Sequence, residues 1–227
     1  METKNQNINP DYQFCFETII DRIDNEKKPL TNRELLDICR PVADILNGES
    51  NPHHAHEIGE AALNLLIRRK HAKNLLTTEN PIELVRSLLK PLISCLPTQT
   101  WRSQKQIGWQ QFSTPPTIAF LLAYLLNLSK NDFVLEPSAG TGNLAVWTSG
   151  YDIKIHTNEI DSRRRFLLGQ IGFAPTAFNA EFINDFLSPE ISPTSVLMNP
   201  PFRLMADAPK IIRVNSVFAT SNLHSKG

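Results

Sequence analysis

Apolar positions up to about residue 100 recur with a helical period. Phe16, Ile19, Ile20 and Ile23 share one helical face and are followed by the polar break Asp24-Asn25-Glu26-Lys27-Lys28. Thr31-Asn32-Arg33-Glu34 has the form of a capping box, in which hydroxyl and carboxylate each satisfy a free amide at a helix start. The helix it opens carries Leu35, Leu36, Ile38 and Cys39 and should stop near Pro41, because the residue before a proline avoids helical geometry. Ile58, Ala61, Ala62, Leu65 and Leu66 form the stripe of a core-facing helix, and Leu84, Val85, Leu88 and Leu89 repeat that pattern before Pro91. Residues 1–100 are thus predicted to form an α-helical N-terminal region, with no internal repeat.

The texture changes from about Trp101. Ser113-Thr114-Pro115-Pro116 signals a helix start, a hydroxyl N-cap with proline in the first turn, and the run Ile118 to Leu128 predicts a mostly buried helix. Asp132-Phe133-Val134-Leu135-Glu136 predicts a short buried strand that runs straight into a glycine loop. Ile153, Ile155 and Thr157 alternate as a second strand ending in Asn158-Glu159-Ile160-Asp161, where Asp161 is placed to cap a helix carrying Phe166, Leu167 and Leu168. A weaker strand is expected near Phe182-Ile183 before Asp185, and Ser195-Val196-Leu197-Met198 is a strand feeding Asn199. This alternation predicts an α/β fold, a Rossmann-like, mostly parallel sheet preceded by the helical N-terminal region. In such sheets ligands sit at the carboxyl ends of the strands, where both the glycine loop and the Asn199 string fall.

At 227 residues the chain has room for one domain and a smaller appendage. Its formal net charge of +0 excludes a strongly basic surface but leaves room for a local patch that touches nucleic acid. Cys15, Cys39 and Cys95 form no CxxC pair, which argues against a disulfide framework or a zinc site and suits a reducing cytoplasm. The start Met1-Glu2-Thr3-Lys4-Asn5-Gln6 is polar, and no apolar run approaches the roughly 20 residues of a membrane span. The expectation is a cytoplasmic protein with no membrane partner and no metal.

Gly140 and Gly142 permit a tight turn and let a ligand approach backbone N–H groups with no Cβ in the way. The spacing Gly140-x-Gly142-x-x-Ala145 fits a dinucleotide fingerprint, so an NAD-dependent oxidoreductase and a plain structural turn both compete on that string alone. The longer run Glu136-Pro137-Ser138-Ala139-Gly140-Thr141-Gly142 resembles the first motif of class I methyltransferases that use S-adenosyl-L-methionine, above all the gamma-type amino-methyltransferases. The resemblance implies that Glu136, Pro137, Gly140 and Gly142 wrap the methionine part of the cofactor. Phe112-Ser113-Thr114-Pro115 is similar to the family's aromatic-x-Thr-Pro motif, which implies that Phe112 and Thr114 close over the same end. By the same resemblance Glu159 accepts from the ribose hydroxyls and Ile160 packs on the adenine. Asn184-Asp185-Phe186 resembles the third motif, in which Asp185 accepts from the adenine amine beside Phe186. Without the resemblance Thr114 is a helix-cap residue and Asp185 an acid in a turn.

Asn199-Pro200-Pro201-Phe202 resembles the catalytic string of exocyclic-amine methyltransferases, above all the N6-adenine DNA methyltransferases. The chemistry suits those residue types. An sp² ring amine is a poor nucleophile because its lone pair is delocalised, and the Asn199 oxygen and Pro200 carbonyl can each accept one of its N–H groups. Pro201 stiffens the loop so that the acceptors are preorganised, and Phe202 offers a face for a base swung out of a duplex. The resemblance implies DNA as the substrate partner, with protein-glutamine and RNA methyltransferases, which use a similar string, as alternatives.

His53-His54-Ala55-His56-Glu57 lacks the second ligand cluster of a metal site and reads as a solvated helix start. Arg163-Arg164-Arg165 reads as an exposed helix turn, and Trp101 and Trp109 as pins between helices and sheet. The resemblance covers about Gln110 to Phe202, giving a division into 1–100, the S-adenosylmethionine-binding core 101–202, and a tail 203–227 unlike the family. The expectation is a truncated or frame-shifted reading of a longer methyltransferase, with an inert remnant or helical interaction module as the alternative from outside enzymology. A helical region ahead of Gln110-Gln111-Phe112-Ser113-Thr114-Pro115-Pro116 is also similar to methylase modules fused to strawberry-notch-type helicases, which implies a fused or associated helicase in the full-length parent.

Overall fold

The computed structural model describes residues 8–43, 52–98 and 113–199. Helix α1 (Pro10–Ile20) starts where Asn9 accepts from the Asp11 and Tyr12 amides, and it continues through a wider π-helical turn, Asp21–Asn25. Helix α2 (Asn32–Ile38) opens on the expected capping box: Thr31 Oγ1 accepts from the Glu34 amide, and Glu34 Oε2 accepts from the Thr31 amide. It ends ahead of Pro41, which sits in the short α3 (Arg40–Ala43). Then come α4 (Pro52–Leu66), α5 (Ala72–Leu76), α6 (Pro81–Leu84) and α7 (Lys90–Ser94), with π-helical turns at Ile67–His71 and Val85–Leu89.

The second half is mixed helix and sheet. Helix α8 (Pro116–Leu126) leads to β1 (Phe133–Glu136), a 3-10 turn (Ala145–Gly150), β2 (Lys154–Thr157) and α9 (Ser162–Gln170). A second 3-10 turn, Ala180–Phe182, runs into α10 (Ile183–Phe186), and β3 (Ser195–Val196) follows. The three strands form one parallel sheet in the order β2-β1-β3, with Leu135 opposite His156 on one side and Val196 on the other. All three carboxyl ends therefore open at the same edge. The arrangement is α/β, with the sheet built around the buried β1.

Helices and sheet share one core. Ile19, Ile58, Ala62 and Leu66 from the helical region belong to the same continuous buried cluster as Val134, Trp147 and Leu168 from the sheet side. Phe120 of α8 packs on Trp147 with ring centroids 5.2 Å apart, and both are fully buried. Burying a side chain of that size contributes about 1.5–3 kcal/mol. No helix among the described residues is long and apolar enough to cross a membrane.

Three local expectations are corrected. The α8 N-cap is Pro115, whose carbonyl accepts from Ile118 and Ala119, so neither Ser113 nor Thr114 caps the helix; both hydroxyls go elsewhere. Helix α8 is not mostly buried, because its apolar residues run all the way round: Phe120 and Ala123 face the core while Leu125 is 77% exposed. The strand expected near Phe182-Ile183 is helical, since the Asn179 side chain accepts from the Glu181 amide and caps a turn there. The parallel pairing beyond β2 is instead a single bridge between Asn158 and Thr176.

Candidate functional site

The site gathers at the carboxyl ends of the strands. Asn158, fully buried after β2, braces the glycine loop. Its amide N–H donates to the Glu136 carbonyl at 2.9 Å, its carbonyl accepts from Ala139 at 2.9 Å, and its side-chain Nδ2 donates to the Pro137 carbonyl at 2.9 Å. Pro137 is buried, its carbonyl thus already engaged. Gly140 and Gly142 both adopt left-handed backbone, with φ of +57° and +98°. They do different work. A Cβ on Gly142 would meet Leu168 Cδ1 at 2.9 Å and Ile171 Cδ1 at 3.1 Å, so that glycine serves close packing against α9. A Cβ on Gly140 would find only Arg164 Nη1, at 3.7 Å, so this is the glycine that leaves room for another group.

Two buried carboxyls lie next to the glycine loop. Glu136 is 1% exposed and its Oε2 has no hydrogen-bond partner. Burial, and then the nearby Glu159 carboxyl, push its pKa well above the usual carboxylate range, with the Ala145 amide opposing them. Glu159, also buried, accepts from the Gly140 amide at 2.7 Å and from the Asp161 amide at 2.8 Å. Burial raises its pKa, against the pull of those two amides and of Arg164. Asp161 caps α9 as expected, accepting from the Arg163 and Arg164 amides.

Helix α4 reaches into the same place, which sequence reasoning missed. Glu60 Oε2 accepts from Thr141 Oγ1 at 2.6 Å and Ser113 Oγ at 3.0 Å, while Glu60 Oε1 accepts from Asn143 Nδ2 at 2.8 Å. Asn64 Nδ2 donates to the Thr141 carbonyl at 3.1 Å and to Asn143 Oδ1 at 2.5 Å. Asn143 Nδ2 also donates to the Thr114 carbonyl at 2.7 Å, and Asn199 Nδ2 donates to Thr114 Oγ1 at 3.1 Å. Thr114 and Asn199 are therefore in direct contact.

One turn earlier on α4, Glu57 is buried against α9. Its Oε1 accepts from Arg164 Nε at 3.1 Å, Arg163 Nη2 lies 3.8 Å away, and His54 Nδ1 is 3.5 Å from Oε2. Burial alone would raise the Glu57 carboxyl, but His54 and the two guanidiniums hold it at about 2. Burial likewise works against the Arg164 charge, and Glu57, Glu60 and Glu159 outweigh it, so its pKa rises. This corrects two readings: His54 and Glu57 are not a solvated helix start, and Arg164 is not exposed. Arg165 Nη1 donates to the Glu159 and Ile160 carbonyls. The signal for the α4–α9 interface was present as acids on one helix and arginines on another, but a charge run carries no information about its partner.

Ile160, next in the chain to Glu159, is half-exposed. Asp185 and Phe186 lie on α10, both exposed, and Phe186 stacks on Phe178 at 5.2 Å. Phe178 is tied back to the loop brace, since its amide donates to Asn158 Oδ1 at 2.7 Å. Of the expected residues, Thr114, Glu136, Gly140, Glu159 and Asn199 gather around the loop. Phe112, Pro200, Pro201 and Phe202, with Trp101 and Trp109, lie outside the described residues. Comparison with protein-family models, curated proteins and solved structures finds no significant match for this chain.

Proposed function

We propose that the chain carries a Rossmann-like methyltransferase core that binds S-adenosyl-L-methionine and directs methyl transfer to an exocyclic amine, foremost adenine N6 of DNA. The observation that carries the reading is the buried, unpartnered Glu136 Oε2 beside the open left-handed Gly140. A carboxyl held away from water with an uncommitted oxygen suits a cationic hydrogen-bond donor, and the cofactor's amino-acid end offers an ammonium group. Gly140 gives backbone access and Glu159 retains lone pairs beyond the two that Gly140 and Asp161 use. The half-exposed Ile160 offers an apolar face beside them. The cofactor supplies an activated methyl on a sulfonium. The protein's own task is then to hold a weakly nucleophilic amine in line, and Asn199 is a hydrogen-bond acceptor at the end of β3 for that purpose. Asp185 would take the adenine end of the cofactor from α10.

Titration calorimetry with S-adenosyl-L-methionine and with NAD separates this reading from the oxidoreductase that shares a glycine loop. Binding of NAD alone sinks it. Transfer of a tritiated methyl to DNA, RNA and protein then identifies the substrate, and label found only in protein moves the assignment to a glutamine methyltransferase.

A further inference from the structure

We propose that Glu60, on α4 of the helical region, is a positioning residue for Asn199; the inference rests on the methyl-transfer reading above. Glu60 is an acceptor only, and its three donors, Ser113, Thr141 and Asn143, lie on two separate segments, the entry to α8 and the glycine loop. It therefore fixes the direction of each donor as well as its place. Asn143 presents its Nδ2 to both Glu60 and the Thr114 carbonyl, while Asn64 holds its Oδ1 from the other side. Both groups of the Asn143 amide are thereby committed, and Thr114 is held by its backbone. Thr114 Oγ1 then accepts from Asn199 Nδ2.

That last contact matters because an amide has one useful end. An Asn199 whose nitrogen faced an amine substrate would repel its N–H groups. Engaging the nitrogen at Thr114 leaves the oxygen for the substrate. The helical region thus reaches the reacting amine through Glu60, Asn143, Thr114 and Asn199, each joined to the next by a direct hydrogen bond. Neither Ser113 nor Thr114 is spent on capping α8, which is what frees both for this arrangement.

The test compares Glu60→Ala and Glu60→Gln in the full chain. The glutamine can accept from Asn143 and donate to the Ser113 or Thr141 oxygen, so it keeps the linkage without the charge. Methyl transfer from tritiated cofactor to an adenine-containing DNA duplex is followed together with cofactor affinity and the 15N side-chain amide resonances of Asn199. Glu60→Ala is expected to lower kcat by roughly tenfold or more with KM and cofactor affinity little changed, and to move the Asn199 resonances. Glu60→Gln should restore both. A folded Glu60→Ala protein with parental kcat and unmoved resonances overturns the proposal. Equal loss of cofactor affinity in both variants, with kcat unmoved, overturns it in favour of a direct charge role. A parent chain that transfers nothing to DNA defeats the underlying reading instead, and the Asn199 resonances then decide whether the linkage itself exists.

Discussion

Glu57 on α4 and Glu136 at the end of β1 are both almost completely buried, at 3% and 1% exposure, yet their carboxyls are driven in opposite directions. Burial pushes each of them up. At Glu57 the His54 ring and the Arg164 and Arg163 guanidiniums more than offset that push. At Glu136 a second carboxyl, Glu159, adds to it. Desolvation is therefore common to the two regions and the neighbours decide the outcome. The α4–α9 interface is a closed ionic joint whose charges are answered inside the protein. At the carboxyl end of β1 no cation offsets burial at Glu136, so that carboxyl is driven towards its uncharged form and keeps one oxygen without a hydrogen-bond partner.

The largest effect should come from opening the joint. Arg164→Met leaves Glu57 buried without the guanidinium that donates to it and is expected to cost about 3–5 kcal/mol in urea unfolding at neutral pH. The double variant Glu57→Leu/Arg164→Met should recover most of that loss, since two apolar groups can share the same space. The acid limb tests the same joint. Glu57 is depressed from 4.5 to about 2 on folding, so its contribution, about 3 kcal/mol, is full above about pH 4.5 and lost as pH falls through 2. Glu57→Gln should therefore remove part of the acid-induced loss of stability. An acid limb as steep as the parent's would show that Glu57 is not held by these partners.

This joint is also where sequence reasoning stopped short. The capping box at Thr31, the α4 stripe, β1, β2 and the Asp161 cap were all readable, because each rests on local hydrogen bonding or on the period of apolar residues. Thr114, Glu136, Gly140, Glu159 and Asn199 became candidates through the resemblance of their motifs, and the structure places all five around the glycine loop. Glu57, Glu60 and Asn64 were not readable in this way. They are polar residues on the apolar-patterned helix α4, and the partners that matter here lie far along the chain, 53 positions for Glu60 and Ser113, 77 for Asn64 and Thr141 and 107 for Glu57 and Arg164. Nothing local marks such a pairing. The strand wrongly expected at Phe182-Ile183 failed for a related reason, since a short apolar pair fits either element and the Asn179 cap decided for the helix.

The two loop glycines give the next largest effects and sharpen the contrast between the joint and the carboxyl end of β1. Gly142→Ala combines a left-handed residue with a methyl 2.9 Å from Leu168 Cδ1. The leucine end can shift, so the expected destabilisation is about 2 kcal/mol. Gly140→Ala meets only an arginine tip at 3.7 Å and should cost about 1 kcal/mol from backbone strain alone. If Gly140 faces the cofactor, the ranking reverses in calorimetry with S-adenosyl-L-methionine. Gly140→Ala should then lose more affinity than Gly142→Ala. A smaller loss at Gly140 would return that glycine to a purely structural turn.

The smallest stability effect at acid pH, and the one that separates folding from function, is expected from Glu136→Gln. The folded pKa of Glu136 is raised above its ordinary 4.5, so its uncharged form contributes fully below that pH. As pH rises, the unfolded chain ionises this group first, and stability falls until the folded value is passed. Glutamine mimics the uncharged carboxyl and does not ionise. The variant should match the parent within about 1 kcal/mol below about pH 4 and become the more stable of the two as pH rises towards neutrality. Binding should move the other way. A cationic ligand group draws Glu136 into its charged form, which the amide cannot adopt, so cofactor affinity should fall even as thermal stability at neutral pH increases. Urea unfolding across pH and calorimetry on the same variant read the two quantities separately. A variant less stable than the parent at neutral pH would mean that Glu136 is charged and answered in the folded protein, and that the contrast with Glu57 does not hold.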